Sequence, residues 1–188
     1  MIDVIFLDMD GVLFNFPKAS CDLHGFDLDT VLSNWKEHDD NGKNIKDKLE
    51  KQLGISSKEF WSKIHENSHS FWKNMPKYEW ADKLVELCFE YSDNVEILTS
   101  PGHDYHSPSG KREAIRRNFP NLFRYTNIVK NKFRLANPTA VLIDDTEDKL
   151  DPFIERGGQG ILFPQIWNRN DFVDDKLDYI ESCLRDLK

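Results

Sequence analysis

The chain has 188 residues, with 25 Lys and Arg against 33 Asp and Glu, which gives a formal charge of −8. This length predicts one domain with room for a modest insertion. The net acidity argues against a broad nucleic-acid-binding face, so we expect no extended nucleic acid as a partner. Thirteen Phe, five Trp and five Tyr supply enough apolar surface for a folded core and argue against disorder.

The sequence indicates a reduced, soluble protein, for which we expect a cytoplasmic location. Residues 1–8 lack the basic leader and the small-residue cleavage site of a signal peptide. No apolar run approaches the ~20 residues that a membrane span needs, so we expect no membrane partner. Cys21, Cys88 and Cys183 form no Cys-x-x-Cys pair, which argues against a disulfide framework and a Cys zinc site. The sequence leaves both a monomer and a homodimer open.

Five short apolar runs predict the strands of a parallel sheet, at residues 4–7, 95–98, 127–129, 140–143 and 160–163. The segments between and after them show helical spacing of apolar residues, over 81–89, 111–119, 147–156 and 173–187. This alternation of strand and helix predicts a three-layer α/β sandwich with a parallel, Rossmann-like sheet.

Residues 17–79 break this alternation, because they place far more chain between the first two strands than a crossover needs. The segment is polar, with turn-forming clusters at 39–42 and 54–57, and it holds three of the five tryptophans. We therefore predict a small α-helical cap at 17–79, inserted after the first strand, and a catalytic core formed by 1–16 and 80–188.

Polar side chains follow three of the predicted strands at the points where these strands end. In chain order they are Asp8, Asp10, Thr99, Ser100, Asp144 and Asp145. Because the carboxyl ends of parallel strands share one edge of the sheet, we expect these side chains to meet in one crevice. Carboxylate oxygens are ligands that Mg²⁺ prefers, and the cation would relieve their mutual repulsion. The sequence therefore predicts a Mg²⁺ site beside a pocket for a phosphate group.

The same residues supply the parts of a phosphoryl transfer. Asp8 can attack phosphorus and form an aspartyl-phosphate. Asp10, two residues further on, can protonate the leaving oxygen and later activate water. Thr99 and a lysine can hold the non-bridging phosphate oxygens and stabilise charge in the transition state.

The roles of several residues stay open at this point. Lys132 is favoured over Lys130 as the lysine that holds phosphate. Lys111, at the start of a predicted helix, is either a substrate-binding residue with Ser100 or a solvated surface lysine. Asp145 either orients another site residue or caps the following helix. His103 lies in the loop after the second strand, near the crevice.

The motifs resemble those of the haloacid dehalogenase-like phosphatase superfamily. The resemblance is carried by Asp8-x-Asp10-Gly-Val-Leu, by Thr99, by a downstream lysine and by Asp144-Asp145, each at a strand end and in order. It implies that Asp8 is the nucleophile and Asp10 the acid and base. It also implies that Asp8, the backbone carbonyl of Asp10 and Asp144 bind Mg²⁺, and that a cap lies between the first two motifs.

A narrower resemblance is to the 5′(3′)-deoxyribonucleotidases. It is carried by Thr99-Ser100-Pro101, by the run 132–136 and by the aromatic pair Phe71-Trp72 ahead of the second strand. It implies a small-molecule phosphomonoester substrate, a deoxyribonucleoside monophosphate. Cap aromatics then either contact the base or form the core of the cap, and we expect Phe71 or Trp72 to face the substrate before Phe60 or Trp61.

Two other functions are compatible with the sequence. One is a phosphatase of the same superfamily that acts on nucleic-acid ends or on a sugar phosphate. The other is a non-catalytic relative that binds a nucleotide or a partner protein, against which the intact Asp8 and Asp10 argue.

Overall fold

The computed structural model of the chain describes residues 1–35, 45–102 and 104–187. Within 46–48 it describes the backbone and not the side chains. The turn predicted at 39–42 and His103 lie outside the described residues.

A five-stranded, fully parallel sheet forms the centre of the molecule. Its strands are β1 (Val4–Leu7), β2 (Val95–Thr99), β3 (Thr126–Ile128), β4 (Ala140–Asp144) and β5 (Gln159–Leu162). Their order in the sheet is β3-β2-β1-β4-β5. Each strand lies within one residue of its predicted position, because a short apolar run between polar segments is a direct signature of a strand buried on both faces.

The sheet order places the first strand at its centre. In β1, Leu7 pairs with Ile97 of β2 on one side and with Ile143 of β4 on the other. The residues that follow these three strands therefore leave the sheet at the same edge, next to one another.

Helices cover both faces of the sheet, as the alternation predicted. They are α6 (Ala81–Phe89), α7 (Ser107–Asn118), α8 (Glu147–Glu155) and α9 (Lys176–Leu187). Alternate side chains of β1 point to opposite faces, so Ile5 and Leu7 join the core under α6, α7 and α9, while Phe6 joins a second core under α8. The α/β sandwich is thus confirmed.

Two helix starts differ from the predicted ones. Helix α7 begins at Ser107, earlier than predicted, because Pro108 in its first turn is compatible with a helix start. Helix α9 begins at Lys176, and Asp175 accepts backbone hydrogen bonds from Leu177 and Asp178, so Val173 lies before the helix.

Ahead of α6, the described part of the segment between β1 and β2 is mostly helical. This part contains α1 (Phe16–His24), α2 (Leu28–Ser33), α3 (Ile45–Leu53), α4 (Ser57–Glu66) and α5 (Ser68–Lys73). Short polar caps begin three of them: Asn15, Asp27 and Ser56 accept hydrogen bonds from the first turns of α1, α2 and α4. The division of the chain into cap and core remains a prediction.

Aromatic rings join these helices to one another. Phe16 of α1 stacks on Trp72 of α5 with 5.8 Å between ring centroids, and it meets Phe71 edge-on at the same distance. Phe60 of α4 contacts Phe16 at 6.3 Å. Phe60 and Trp72 are fully buried, and these rings belong to the same apolar core as Ile5 and Leu7 of β1.

Helix α5 packs closely on α7 of the sheet-covering layer. A Cβ atom placed on Gly110 of α7 would lie 2.7 Å from the carbonyl oxygen of His69 and 2.8 Å from Cβ of Trp72. Glycine at 110 is therefore required for the close approach of the two helices.

Nowhere in 1–35, 45–102 or 104–187 is there a helix long and apolar enough to span a membrane.

Gly110→Ala is expected to lower the melting temperature. In an exposed helix this change stabilises by about 1 kcal/mol, but here the new methyl group meets backbone atoms of α5, and overpacking costs about 1–3 kcal/mol. The control is Ser109→Ala at the neighbouring exposed position. A melting temperature for Gly110→Ala at or above that of the wild type would contradict the close packing of α5 on α7.

Candidate functional site

The first strand ends in the two carboxylates of the Asp-x-Asp motif. Asp8 and Asp10 are 7% and 6% exposed. The chain turns sharply after them at Gly11, which has a φ of 86° and whose N–H donates to the carbonyl of Phe14. A Cβ atom on Gly11 would lie 2.4 Å from a carboxylate oxygen of Asp145, so both the backbone conformation and the close approach require glycine here.

Lys132 joins the carboxylates that follow β1 and β4. Its Nζ lies 2.5 Å from Oδ1 of Asp8 and 2.6 Å from Oδ2 of Asp144, and the lysine is 2% exposed. Burial lowers the pKa of Lys132, but the carboxylates of Asp144 and Asp8 outweigh this effect and raise it above its ordinary value. Lys130, the alternative, is exposed and lines the cleft without such a contact among the described residues.

Asp144 and Asp145 are both buried at the end of β4. Burial raises the pKa of Asp144 to about 6, against the opposing effect of Lys132. Burial and the neighbouring Asp144 and Asp8 raise the pKa of Asp145 well above its ordinary value. The backbone N–H of Thr146 donates to Oδ1 of Asp144 at 3.0 Å.

Asp145 does not cap the following helix. The cap of α8 is Thr146, so the capping alternative for Asp145 is wrong. Oδ2 of Asp145 instead accepts a 2.7 Å hydrogen bond from Nε1 of Trp167, and its carbonyl oxygen accepts one from Asn168. Asp145 is therefore fixed from the loop after β5.

The loop after β5 supplies residues that the sequence reasoning did not identify. Besides Trp167 and Asn168, it contains Gln165, whose Nε2 donates to the carbonyl of Gly11 at 2.5 Å. These side chains position the turn after Asp10 and the carboxylate of Asp145. The fifth strand ends at the same edge of the sheet as the others, and that placement was the available signal.

The fit of a metal ion follows from the carboxylates. Oxygen atoms of Asp8, Asp144 and Asp145 lie within 4.8 Å of one another, and all three residues are buried. With Asp10, four buried carboxylates face two buried lysines, Lys132 and Lys111. The charge excess and the hard oxygen ligands together fit a divalent cation such as Mg²⁺.

Thr99 and Ser100 follow β2. Thr99 is 1% exposed, and its Oγ1 accepts a hydrogen bond from Nζ of Lys111 at 3.1 Å. Ser100 lines the cleft, and its buried Oγ has no hydrogen-bond partner among the described residues. A buried hydroxyl without a partner costs free energy, so it is suited to donate to a ligand oxygen.

Lys111 is fully buried, so the alternative of a solvated surface lysine is wrong. Its Nζ contacts Oδ2 of Asp10 at 2.8 Å and the carbonyl oxygen of Ser100 at 2.9 Å. It does not belong to the residues that line the cleft in the described structure.

A cleft of about 450 Å³ opens above these groups. Residues 1–16 and 80–188 contribute the carboxylates Asp8, Asp10, Asp144 and Asp145, with Thr99, Ser100, Lys130, Lys132 and Lys149. The segment between β1 and β2 contributes Ile45 and Trp61. Phe71 and Trp72 are buried against Phe16 and Lys111, so these rings present their surfaces to the protein core.

Asp145→Asn is expected to stabilise the protein when Mg²⁺ is removed. The folded-state pKa of Asp145 lies above the unfolded value of about 3.9, so its ionisation opposes folding, and this cost grows as the pH rises above about 4. The melting temperature of the variant minus that of the wild type should therefore increase from pH 4 to pH 8. About 1 kcal/mol corresponds to about 2–4 °C in a domain of this size.

The control for this comparison is Asp151→Asn, at an exposed position of α8, which should show no such pH-dependent gain. Saturating Mg²⁺ should reduce the advantage of Asp145→Asn, since the cation offsets the same repulsion. A variant that is less stable than the wild type at pH 8 without Mg²⁺ would contradict the uncompensated charge of the site.

Comparisons with known proteins place the fold. No protein-family model and no curated protein matches the sequence. Among solved structures, the chain is similar to a haloacid dehalogenase-like hydrolase from Xanthomonas campestris, with a TM-score of 0.59 at 14% identity, over 99% of this chain and 91% of that one. It is also similar to the HAD-hydrolase YfnB from Bacillus subtilis bound to magnesium, with a TM-score of 0.57 at 12% identity, over 97% and 98% of the two chains.

A third neighbour is a HAD family hydrolase from Deinococcus radiodurans with bound phosphate and sodium. Its TM-score is 0.52 at 13% identity, over 99% of this chain and 88% of that one. L-2-haloacid dehalogenase from Xanthobacter autotrophicus also has this fold. The chain therefore has the α/β fold of haloacid dehalogenase-like hydrolases.

Proposed function

We propose that the protein is a Mg²⁺-dependent phosphomonoester hydrolase that removes phosphate from deoxyribonucleoside monophosphates. The observation that carries this proposal is the contact of Lys132 with both Asp8 and Asp144 at the floor of the cleft. This contact brings the proposed nucleophile Asp8, the ammonium group of Lys132 and the proposed metal ligand Asp144 together, where a phosphate group can be held.

The residues divide the reaction between them. A carboxylate oxygen of Asp8 attacks phosphorus and the bond from phosphorus to the ester oxygen breaks, which leaves an aspartyl-phosphate. Asp10 gives a proton to the departing oxygen, then takes one from the water that hydrolyses the aspartyl-phosphate and releases inorganic phosphate. The third N–H of Lys132 and the hydroxyl of Ser100 are available to donate hydrogen bonds to the non-bridging phosphate oxygens.

Asp8 and Asp144, with the backbone carbonyl of Asp10 or the carboxylate of Asp145, would hold Mg²⁺. When bound, the cation neutralises excess charge of the carboxylates and of the phosphate. Asp145, fixed by Trp167 and close to Gly11, also holds the turn after Asp10 in place.

The position of Asp10 favours an ester substrate over a haloacid. An alkoxide leaving group needs a proton at the moment of departure, whereas a halide leaves as a stable anion. Asp10 lies two residues from the nucleophile, and its carboxylate is held by Lys111. A second acidic group kept in this place supports phosphate-ester hydrolysis rather than dehalogenation.

Asp8→Asn is expected to abolish turnover while the fold survives. The amide keeps the size of the carboxylate but removes its charge and its nucleophilic oxygen. Phosphate release from a deoxynucleoside monophosphate, measured with and without Mg²⁺, should fall to background, and circular dichroism should stay that of the wild type. Asp151→Asn serves as the matched control, and substantial activity in a contaminant-free preparation of Asp8→Asn would overturn the assignment.

Trp61 supports the choice of a nucleoside substrate. It is the aromatic ring of the 17–79 segment that lines the cleft among the described residues, and it is partly exposed. A base that stacks on such a ring gains about 1–3 kcal/mol. The aromatic contact that we expected first at Phe71 or Trp72 is therefore proposed for Trp61.

Trp61→Ala is expected to raise KM for a deoxynucleoside monophosphate by about tenfold, since about 1.4 kcal/mol of uniform binding corresponds to that factor. The KM for p-nitrophenyl phosphate, which lacks a base and a sugar, should change much less. Tyr105→Ala, which removes a 92% exposed ring outside the cleft, is the control. Equal changes in KM for the two substrates would argue for a substrate without a nucleobase, such as a sugar phosphate.

A further inference from the structure

Lys111 is a buried cation whose hydrogen bonds are directed at the protein. Its Nζ donates to Oδ2 of Asp10 at 2.8 Å, to the carbonyl oxygen of Ser100 at 2.9 Å and to Oγ1 of Thr99 at 3.1 Å. An ammonium group has three N–H donors, so these three acceptors engage all of them. The side chain has no exposed surface.

Lys111 and Lys132 therefore have different positions relative to a ligand. Lys132 lines the cleft and uses two donors on Asp8 and Asp144, which leaves its third N–H for a phosphate oxygen. Lys111 lies behind Asp10 and Thr99, with its donors engaged there. A direct contact of Lys111 with phosphate would require it to give up one of these buried hydrogen bonds.

The segment between β1 and β2 fixes the position of Lys111 from the other side. Nζ of Lys111 lies 4.7 Å from the centroid of the Trp72 ring, a cation–π contact in a desolvated place. Nε1 of Trp72 donates to Asp104 at 3.2 Å, and Ser68 donates to the same carboxylate. Helix α5 is thus anchored to the loop after β2, directly against Lys111.

We propose that Lys111 is a positioning residue that holds the carboxylate of Asp10 for proton transfer, and that Trp72 supports it through the face of its ring. This inference rests on the proposed phosphatase function and assigns Lys111 and Trp72 a role other than substrate contact. Asp10 is buried just after the first strand, and Nζ of Lys111 lies 2.8 Å from Oδ2 of its carboxylate. This contact fixes the orientation of the carboxylate, which the proposed reaction requires to face the leaving oxygen.

The proposal predicts that losses in the Lys111→Met variant depend on the leaving group. p-Nitrophenolate departs without a proton, whereas the alkoxide of a nucleotide sugar needs one. The ratio kcat/KM reports the first phosphoryl transfer, the step in which the ester bond breaks. In Lys111→Met, kcat/KM for a deoxynucleoside monophosphate should fall by about 100-fold or more, and that for p-nitrophenyl phosphate by less than about tenfold.

Inhibition by inorganic phosphate gives a second readout. If Lys111 positions Asp10, the inhibition constant for phosphate should stay within about threefold of the wild-type value, since about 0.6 kcal/mol or less of binding is then affected. Equal losses of kcat/KM for the two esters, together with phosphate inhibition weakened by tenfold or more, would show that Lys111 binds phosphate and would overturn the proposal.

Removal of a buried cation can prevent folding, so a matched pair at Trp72 tests the same idea with Lys111 intact. Trp72→Phe and Trp72→Leu both lose the hydrogen bond to Asp104, but only the phenylalanine keeps an aromatic face under Lys111. The leucine variant should lose more kcat/KM with the nucleotide than with p-nitrophenyl phosphate. The phenylalanine variant should lose similar amounts with both.

The outcomes separate this inference from the proposed function. An identical ratio of the two kcat/KM values in Trp72→Leu, Trp72→Phe and the wild type would overturn the positioning role while leaving the phosphatase intact. A well-folded wild-type protein that releases phosphate from neither ester with Mg²⁺ would remove the proposed function, and this inference with it.

Discussion

The fold buries four carboxylates at one edge of a parallel sheet, and their mutual repulsion is the constraint that the rest of the site must offset. Asp8 and Asp10 follow the central strand, and Asp144 and Asp145 follow its neighbour, so the strand order itself forces them together. Among the described residues, the buried lysines Lys132 and Lys111 form ion pairs with Asp8, Asp144 and Asp10. Burial keeps the pKa of Asp144 and Asp145 raised. A site of this kind is costly for an empty protein and favourable for one that binds a divalent cation and a phosphate group.

The two lysines interact with these carboxylates from different sides, and Lys111 does so in contact with the segment between β1 and β2. Lys132 lies in the cleft between the carboxylates of Asp8 and Asp144. Lys111 lies behind Asp10, against the ring of Trp72. Helix α5, which lies between β1 and β2 in the chain, packs closely on α7 at Gly110, and α7 covers one face of the sheet. Trp61 of α4, in contrast, faces the cleft.

The sequence predicted those parts that follow from strand ends. Apolar runs located all five strands, and the polar residues after them identified the carboxylates. This worked because the carboxyl ends of parallel strands share one edge of the sheet, whatever the strand order. It did not predict which side chains of helices and loops turn inward. Lys111 has the pattern of a surface residue, and its burial depends on Asp10, 101 residues away. The roles of Gln165 and Trp167 depend likewise on contacts with Gly11 and Asp145 that no local pattern encodes.

The central claim, that Asp8 is phosphorylated while Lys132 and a metal ion hold the transferred group, is tested most directly by a crystal structure with Mg²⁺ and beryllium fluoride, a mimic of the phosphoryl group. The expected structure has the fluoride adduct on a carboxylate oxygen of Asp8. Nζ of Lys132 and Oγ of Ser100 should contact its fluorine atoms, and Mg²⁺ should bind Asp8 and Asp144. Mg²⁺ bound away from Asp8 and Asp144, or an adduct that forms on another residue, would contradict the claim.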